Sequence, residues 1–256
     1  MKDKVALVTG GSRGLGRAIC LGLAADGARV AINYYRDPGQ GIDLHDEAAD
    51  LAKSIQADHG TEALAVPGDV SKSDDVVQMF DRCEAELGPP DVLVNNAGIW
   101  PTAFVKDMTE EDWDRTFAVN LKGPFLTCRE AVRRWLAAGR AGRIVNVSTQ
   151  AAFQGATTGH AHYAAAKAGL VNFTVSLARE VAPQGIYVNA VAPGLMRTEM
   201  AREALETSEE EYMKRIPLRR VGDPAEIANV VVFLASDRAS YTTGATFDAT
   251  GGMLMR

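Results

Sequence analysis

The chain has 256 residues, 46% hydrophobic and 23% charged, with a formal net charge of −6. This is enough apolar material for a large core, and the acidic balance argues against nucleic acid or an anionic membrane surface as the main partner. The three cysteines, Cys20, Cys83 and Cys128, lie far apart with no metal-ligand or redox spacing. No run approaches the ~18 apolar residues of a membrane span, and "MKDKVALVTGG" is too short an apolar run for a signal segment. A cytoplasmic protein without a metal site is expected.

Strand-like and helix-like segments alternate along the chain. "KVALVTG" (4–10) and "ARVAINY" (28–34) are short β-rich runs, and "GLGRAICLGLAADG" (14–27) between them is helical and ends at a glycine. The Gly/Pro/Asp-rich stretch 36–47 predicts a loop. Further strands are expected at 62–70, 91–98, 142–149, 186–194 and 244–252. Helices are expected at 43–58, 73–87, 109–138, 162–182 and 224–235. A short acidic helix, 205–215, carries Ser208 and Glu211 at capping-box spacing. No repeat, linker or change of composition divides the chain, so 1–256 reads as one domain. Apolar strands alternating with helices predict an α/β fold, a doubly wound Rossmann-type parallel sheet covered by helices on both faces.

After the first strand comes "TGGSRGLG" (9–16). A strand, a glycine turn and a helix start place backbone N–H groups and the positive end of a helix dipole where a pyrophosphate can sit. Gly10, Ser12, Arg13, Gly14, Leu15 and Gly16 are therefore candidate cofactor-binding residues. The second strand ends "AINYYRD", placing Asn33, Tyr34 and Tyr35 where a carboxylate would otherwise hold the adenosine ribose. Arg13 and Arg36 are two guanidiniums able to clamp a 2′-phosphate. NADP(H) is favoured, with NAD(H) as the alternative.

In "YAAAK" (163–167), Tyr163 and Lys167 stand at i and i+4 and project from one helix face. Bringing a phenol from its usual ~10 to ~7 takes about 4 kcal/mol. A cation ~4 Å away at an effective dielectric of ~20 supplies about that much. The pair is therefore a candidate acid/base for a carbonyl or alcohol.

TGxxxGxG, "NNAG" at 95–98, "YAAAK" and "PGLMRT" at 193–198 resemble, in order and spacing, the short-chain dehydrogenase/reductase family. Within it the chain looks most like bacterial 3-oxoacyl-acyl-carrier-protein reductases and the related glucose dehydrogenases. The resemblance implies a seven-stranded parallel sheet, a nicotinamide cofactor and a homotetramer. It gives Tyr163 the proton transfer, Lys167 the tuning of that phenol and ribose binding, and Asn120 a bend in the long helix that holds a relay water. It also implies that Asp69 and Val70 bind adenine, that Asn95, Asn96, Ala97 and Gly98 line the cofactor's other side together with Pro193 and Gly194, and that Thr198 binds the carboxamide. The family's substrate-orienting hydroxyl lies thirteen residues before the tyrosine, whereas Ser148 and Thr149 lie fifteen and fourteen before Tyr163. The loop 150–162 thus carries one or two extra residues. Counting forward from Arg143 puts Thr149 at the catalytic position, with Ser148 as runner-up.

Pocket candidates by position are Trp100, the "QAAFQ" segment, His160, His162, Leu195 and Met196. Arg140 and Arg179 are candidates for docking an acidic carrier protein. The expected activity is NADPH-dependent reduction of a ketone, on a small-molecule or acyl-thioester substrate, to a secondary alcohol. The alternatives are an alcohol or sugar dehydrogenase and, in a different class, a catalytically inactive nucleotide-binding regulator.

Overall fold

The computed structural model describes residues 1–156 and 159–256. From β1 (Val5–Val8) the chain runs through α1 (Gly14–Ala25) to β2 (Arg29–Tyr34). A small hairpin follows, β3 (Arg36–Asp37) and β4 (Ile42–Asp43), and then α2 (His45–His59). Next come β5 (Ala63–Pro67), α3 (Ser73–Leu87), β6 (Val92–Asn95), α4 (Glu110–Phe117) and α5 (Gly123–Ala137). The remainder holds β7 (Gly142–Val147), α6 (Ala151–Gln154), α7 (Ala161–Val181), β8 (Ile186–Pro193), α8 (Arg202–Arg215), α9 (Pro224–Ala235) and β9 (Thr246–Ala249).

Seven strands form one parallel sheet in the order β5-β2-β1-β6-β7-β8-β9. The central strand β1 is apolar and buried at all four positions because both faces of the sheet are covered. On one face α1, α2 and α9 pack through Ile19, Leu23, Ile55 and Val231. On the other, α3, α5 and α7 pack through Met79, Phe80, Trp135 and Leu177. The strand order reverses between β1 and β6, and a cleft opens beyond the carboxyl ends of the strands at such a point.

Three local expectations change. The stretch 36–47 is not all loop, because Arg36 and Asp37 pair with Asp43 and Ile42 in the antiparallel hairpin. The helix expected over 109–138 is two helices joined through a π-turn at Ala118–Lys122 that contains Asn120. The acidic helix starts earlier, at Arg202, and breaks its helical path at Ser208 (φ −147°, ψ 20°).

Candidate functional site

At the switch point, two crossing loops are tied together by polar side chains. The Thr9 hydroxyl accepts from the N–H groups of Asn96 and Ala97 (3.0 and 3.1 Å). The Asn96 amide donates to the carbonyls of Thr9 and Gly10 (3.1 and 2.9 Å). Gly10 and Gly14 have positive φ, +59° and +53°, and a Cβ on Gly16 would lie 2.1 Å from the Gly10 carbonyl oxygen. Only glycine permits this turn. No side chain caps α1, so its first-turn N–H groups are left for a ligand. This loop lines a cavity of about 1040 Å³, at the upper end of small-molecule sites. The donor set suits a dinucleotide: an uncapped helix start for pyrophosphate, with Asp69, Val70, Ala97, Gly98, Pro193, Gly194 and Thr198 further along the same wall.

The adenosine end differs from expectation. Asn33 lines the cavity, but its amide is used as a brace. Its oxygen accepts from Gly10 N–H (3.0 Å), and its nitrogen faces the Val66 and Gly68 carbonyls at 3.3 and 3.1 Å. Tyr34, expected among the cofactor contacts, does not line the cavity. Side chains alternate along a strand, and its ring lies in the core on the opposite face, sharing a 3.0 Å hydrogen bond with His45 Nδ1. Arg36 is likewise outside the cavity, in an exposed ion pair with Asp43 at 3.0 Å across the hairpin. Tyr35, Ile42 and Leu44 form the wall instead, with Arg13 and Arg115 as the lining guanidiniums at this side. The alternation of β2 could have excluded Tyr34; Arg115, on α4, is brought in only by the fold. Asn95 is buried below the cavity, where it accepts from the Thr127 hydroxyl (2.6 Å) and donates to Asn146 (2.8 Å).

The reacting centre is assembled from β7, α7 and the π-turn. Tyr163 lies in the first turn of α7 and lines the cavity with Thr149, Ser148, Asn120 and Lys167. Thr149 lies close enough to the Tyr163 phenol to draw its titration down, while its Oγ1 accepts from Ala151 N–H at 3.3 Å. Ser148 is turned back: its Oγ donates to the Lys167 carbonyl at 3.1 Å, fastening the strand end to the helix. Lys167 is 3% exposed and donates to the Val147 carbonyl at 2.8 Å. Burial draws its ammonium down to about 8. Burial pushes the Tyr163 phenol up to about 12, and Thr149 draws it the other way. Asn120 is fully buried, donating to the carbonyls of Ile99 and Thr116 (both 3.0 Å) and accepting from Ile99 N–H (3.3 Å). The local π-turn brings its amide to Ile99, in the loop after β6.

Beyond this centre the wall is apolar and aromatic. Trp100 stacks on His160 at 4.4 Å and lies 6.5 Å from the Tyr163 ring. His160 Nδ1–H donates to the Pro101 carbonyl at 3.0 Å. Trp100, Gln150, Ala151, Gln154, His160, Leu195 and Met196 line the cavity, but Phe153 packs under the Arg256 guanidinium at 3.6 Å. His162 is fully buried, does not line the cavity, and is held below the usual imidazole range chiefly by burial. The loop 150–162, expected to carry the extra residues, includes 157 and 158, which lie outside the described residues. Arg140 is at the other end of the sheet, paired with Asp91 at 3.0 Å just before β6. Arg179 is sixteen residues past Tyr163 on α7, roughly 24 Å along the helix. Tyr212, Arg215 and Met253 also line the cavity and carry no sequence signal that separates them from other surface residues.

The family model described as "Enoyl-(Acyl carrier protein) reductase" matches residues 10–254. The 3-oxoacyl-[acyl-carrier-protein] reductase FabG of Staphylococcus epidermidis is 41% identical over 99% of this chain and 100% of its own. The 3-oxoacyl-[acyl-carrier-protein] reductase of a Synechocystis species is 41% identical over 98% of this chain and 97% of its own. A solved short-chain type dehydrogenase/reductase from Mycobacterium marinum superposes with a TM-score of 0.91 at 33% identity, covering 100% of this chain and 97% of its own. The chain belongs to the short-chain dehydrogenase/reductase family, oxidoreductases acting on carbonyl and alcohol groups.

Proposed function

We propose that the protein is an NADPH-dependent ketoreductase that converts the ketone of a 3-oxoacyl thioester, or a similar β-keto compound, to a secondary alcohol. The observation that carries this reading is that Tyr163, Thr149, Asn120 and Lys167 line one cavity with the phosphate loop. Burial pushes the Tyr163 phenol up to about 12, so it is protonated at neutral pH and serves as the acid that reduction needs. A bound reduced nicotinamide supplies the hydride. Thr149 Oγ1 and Tyr163 Oη orient the carbonyl oxygen, and Tyr163 Oη gives its proton to the alkoxide as charge develops there. Lys167, buried beneath, holds the ribose side of the cofactor and returns the proton through the polar groups around Asn120. The cysteines take no part: all three are buried free thiols outside the cavity wall.

NADP(H) over NAD(H) is supported by Arg13 at the phosphate loop and by the lack of a carboxylate at Asn33, whose amide is engaged by Gly10. The substrate class is supported by relatives named 3-oxoacyl-[acyl-carrier-protein] reductase. A homotetramer in the cytoplasm goes with this reading; no helix among the described residues is long and apolar enough to cross a membrane. The test is initial rates with acetoacetyl thioesters, glucose and simple ketones, with NADPH and NADH side by side. Reduction of the thioester with NADPH and its loss in Tyr163→Phe are expected. Activity retained in that variant overturns the mechanism, and preferred oxidation of glucose overturns the substrate.

A further inference from the structure

The far end of the cavity from the phosphate loop is built by α6, the end of α8 and the C-terminal segment. Gln150, next to Thr149, donates its amide to the Met253 thioether at 3.1 Å, and its Oε1 is buried without a partner. The C-terminal segment in turn packs on the end of α8: a Cβ on Gly251 would lie 2.8 Å from Ile216 Cγ2. Arg215, the residue before Ile216, lines the cavity beside this segment.

Around α8 the cations are mostly neutralised. Arg197 pairs with Glu209, Lys214 with Glu211, and Arg220 with Glu226, while Arg219 donates to the Lys214 carbonyl. Arg215 has no hydrogen-bond or ion-pair partner among the described residues, although its helix carries several glutamates. It is also the one cation of this group that lines the cavity. Tyr212, one turn earlier, lines it too, and its hydroxyl has no partner among the described residues. Two donors without a partner among the described residues, one of them an exposed planar guanidinium, line a cavity whose lining also includes Trp100, Leu195, Met196 and Met253. A guanidinium of this kind matches a carboxylate or phosphate, with two parallel donors for two oxygens.

We propose that Arg215, assisted by Tyr212, binds an oxyanion carried by the carbonyl substrate away from its reacting carbon, making it a specificity-determining residue. This rests on the ketoreductase reading above and adds the charge of the substrate to it. Two sources share this chemistry: a free carboxylate on a short oxo acid, and the phosphate of a pantetheine-type arm.

Two matched pairs separate them: acetoacetate against ethyl acetoacetate, and acetoacetyl 4′-phosphopantetheine against acetoacetyl N-acetylcysteamine. In each pair the ratio of kcat/KM for the anion to that for its neutral partner is measured in the wild type, Arg215→Ala and Arg215→Lys. The ratio is expected to fall at least tenfold in Arg215→Ala through KM and to be partly restored in Arg215→Lys. A fall in the first pair identifies a carboxylate, and a fall in the second a phosphate. Unchanged ratios in both pairs overturn the proposal, as does an equal fall for all four compounds, which would make Arg215 structural. The neutral compounds test the ketoreductase reading by itself. Should the wild type reduce neither, titration of acetoacetate and 4′-phosphopantetheine onto the NADP⁺ complex still decides. Weaker binding of one of them to Arg215→Ala supports the oxyanion site, and equal binding of both to the two proteins overturns it.

Discussion

Replacing Lys167 with methionine removes a buried ammonium while keeping most of its volume. In the folded chain burial lowers this group from 10.5 to about 8, a difference of roughly 3 kcal/mol at ~1.36 per unit. Below pH 8 the lysine is protonated both folded and unfolded, and the folded state bears the whole cost of the buried charge. Between pH 8 and 10.5 the unfolded chain holds a proton that the folded chain has released, so stability rises with pH. Above 10.5 both are neutral and the cost is gone. The variant has no such dependence, but it leaves the Val147 carbonyl, now bonded at 2.8 Å, without its donor at about 1–3 kcal/mol. Lys167→Met is therefore expected to match or exceed wild-type stability at pH 7 and to fall below it at pH 10.5. The gap should move by about 3 kcal/mol whatever the lost bond is worth. Urea unfolding followed by tryptophan fluorescence at pH 7, 8, 9 and 10.5, with activity assayed alongside, reads both effects. Parallel pH profiles for the two proteins would refute the reasoning, because they would mean that the ammonium is not desolvated. Loss of activity with gain of stability at pH 7 is the pattern of a site kept at a cost to the fold.

The two neighbouring hydroxyls should separate by role. Thr149→Ala is expected to lower kcat about 100-fold or more, while Ser148→Ala loses one bond to the Lys167 carbonyl, about 1 kcal/mol of stability, with little change in rate; full activity in Thr149→Ala with none in Ser148→Ala reverses the assignment. Arg13→Ala should raise KM for NADPH about tenfold and KM for NADH far less, and an equal rise for both would remove Arg13 from the 2′-phosphate. Asn33→Asp should not simply convert the enzyme to NAD(H). It sets a carboxylate against the Val66 and Gly68 carbonyls and should cost roughly 3 kcal/mol in urea unfolding; wild-type stability with a clean switch to NADH would show that the brace is unimportant.

Periodicity and glycine placement made the sheet, its helices and the phosphate loop legible, because those signals come from local physics. A strand buried on both faces is apolar throughout, and a turn with positive φ at Gly10 and Gly14 needs glycine. Tyr163 and Lys167 were legible because i, i+4 spacing on a helix fixes their common face without any knowledge of the rest of the chain. Side-chain direction at the strand ends was harder. Thr149 and Ser148 are adjacent in sequence, and only the packing of β7 against α7 turns the Ser148 hydroxyl back to the Lys167 carbonyl and leaves Thr149 on the cavity wall with Tyr163. Likewise the sequence offered Arg36 as a second phosphate clamp, but a hairpin that pairs it with Asp43 takes it out of the cavity.

By itself, then, the sequence determined the fold class, the nucleotide loop and the acid/base pair, each encoded within a few residues by backbone or helix geometry. Only the tertiary structure decided the environment of that pair. Burial raises the phenol and lowers the ammonium, which is turned to the Val147 carbonyl. It also decided that Tyr212 and Arg215 line the same cavity as Gln150 and Met253, residues from three separate segments of the chain. No local pattern records such a meeting, since it depends on how whole elements pack.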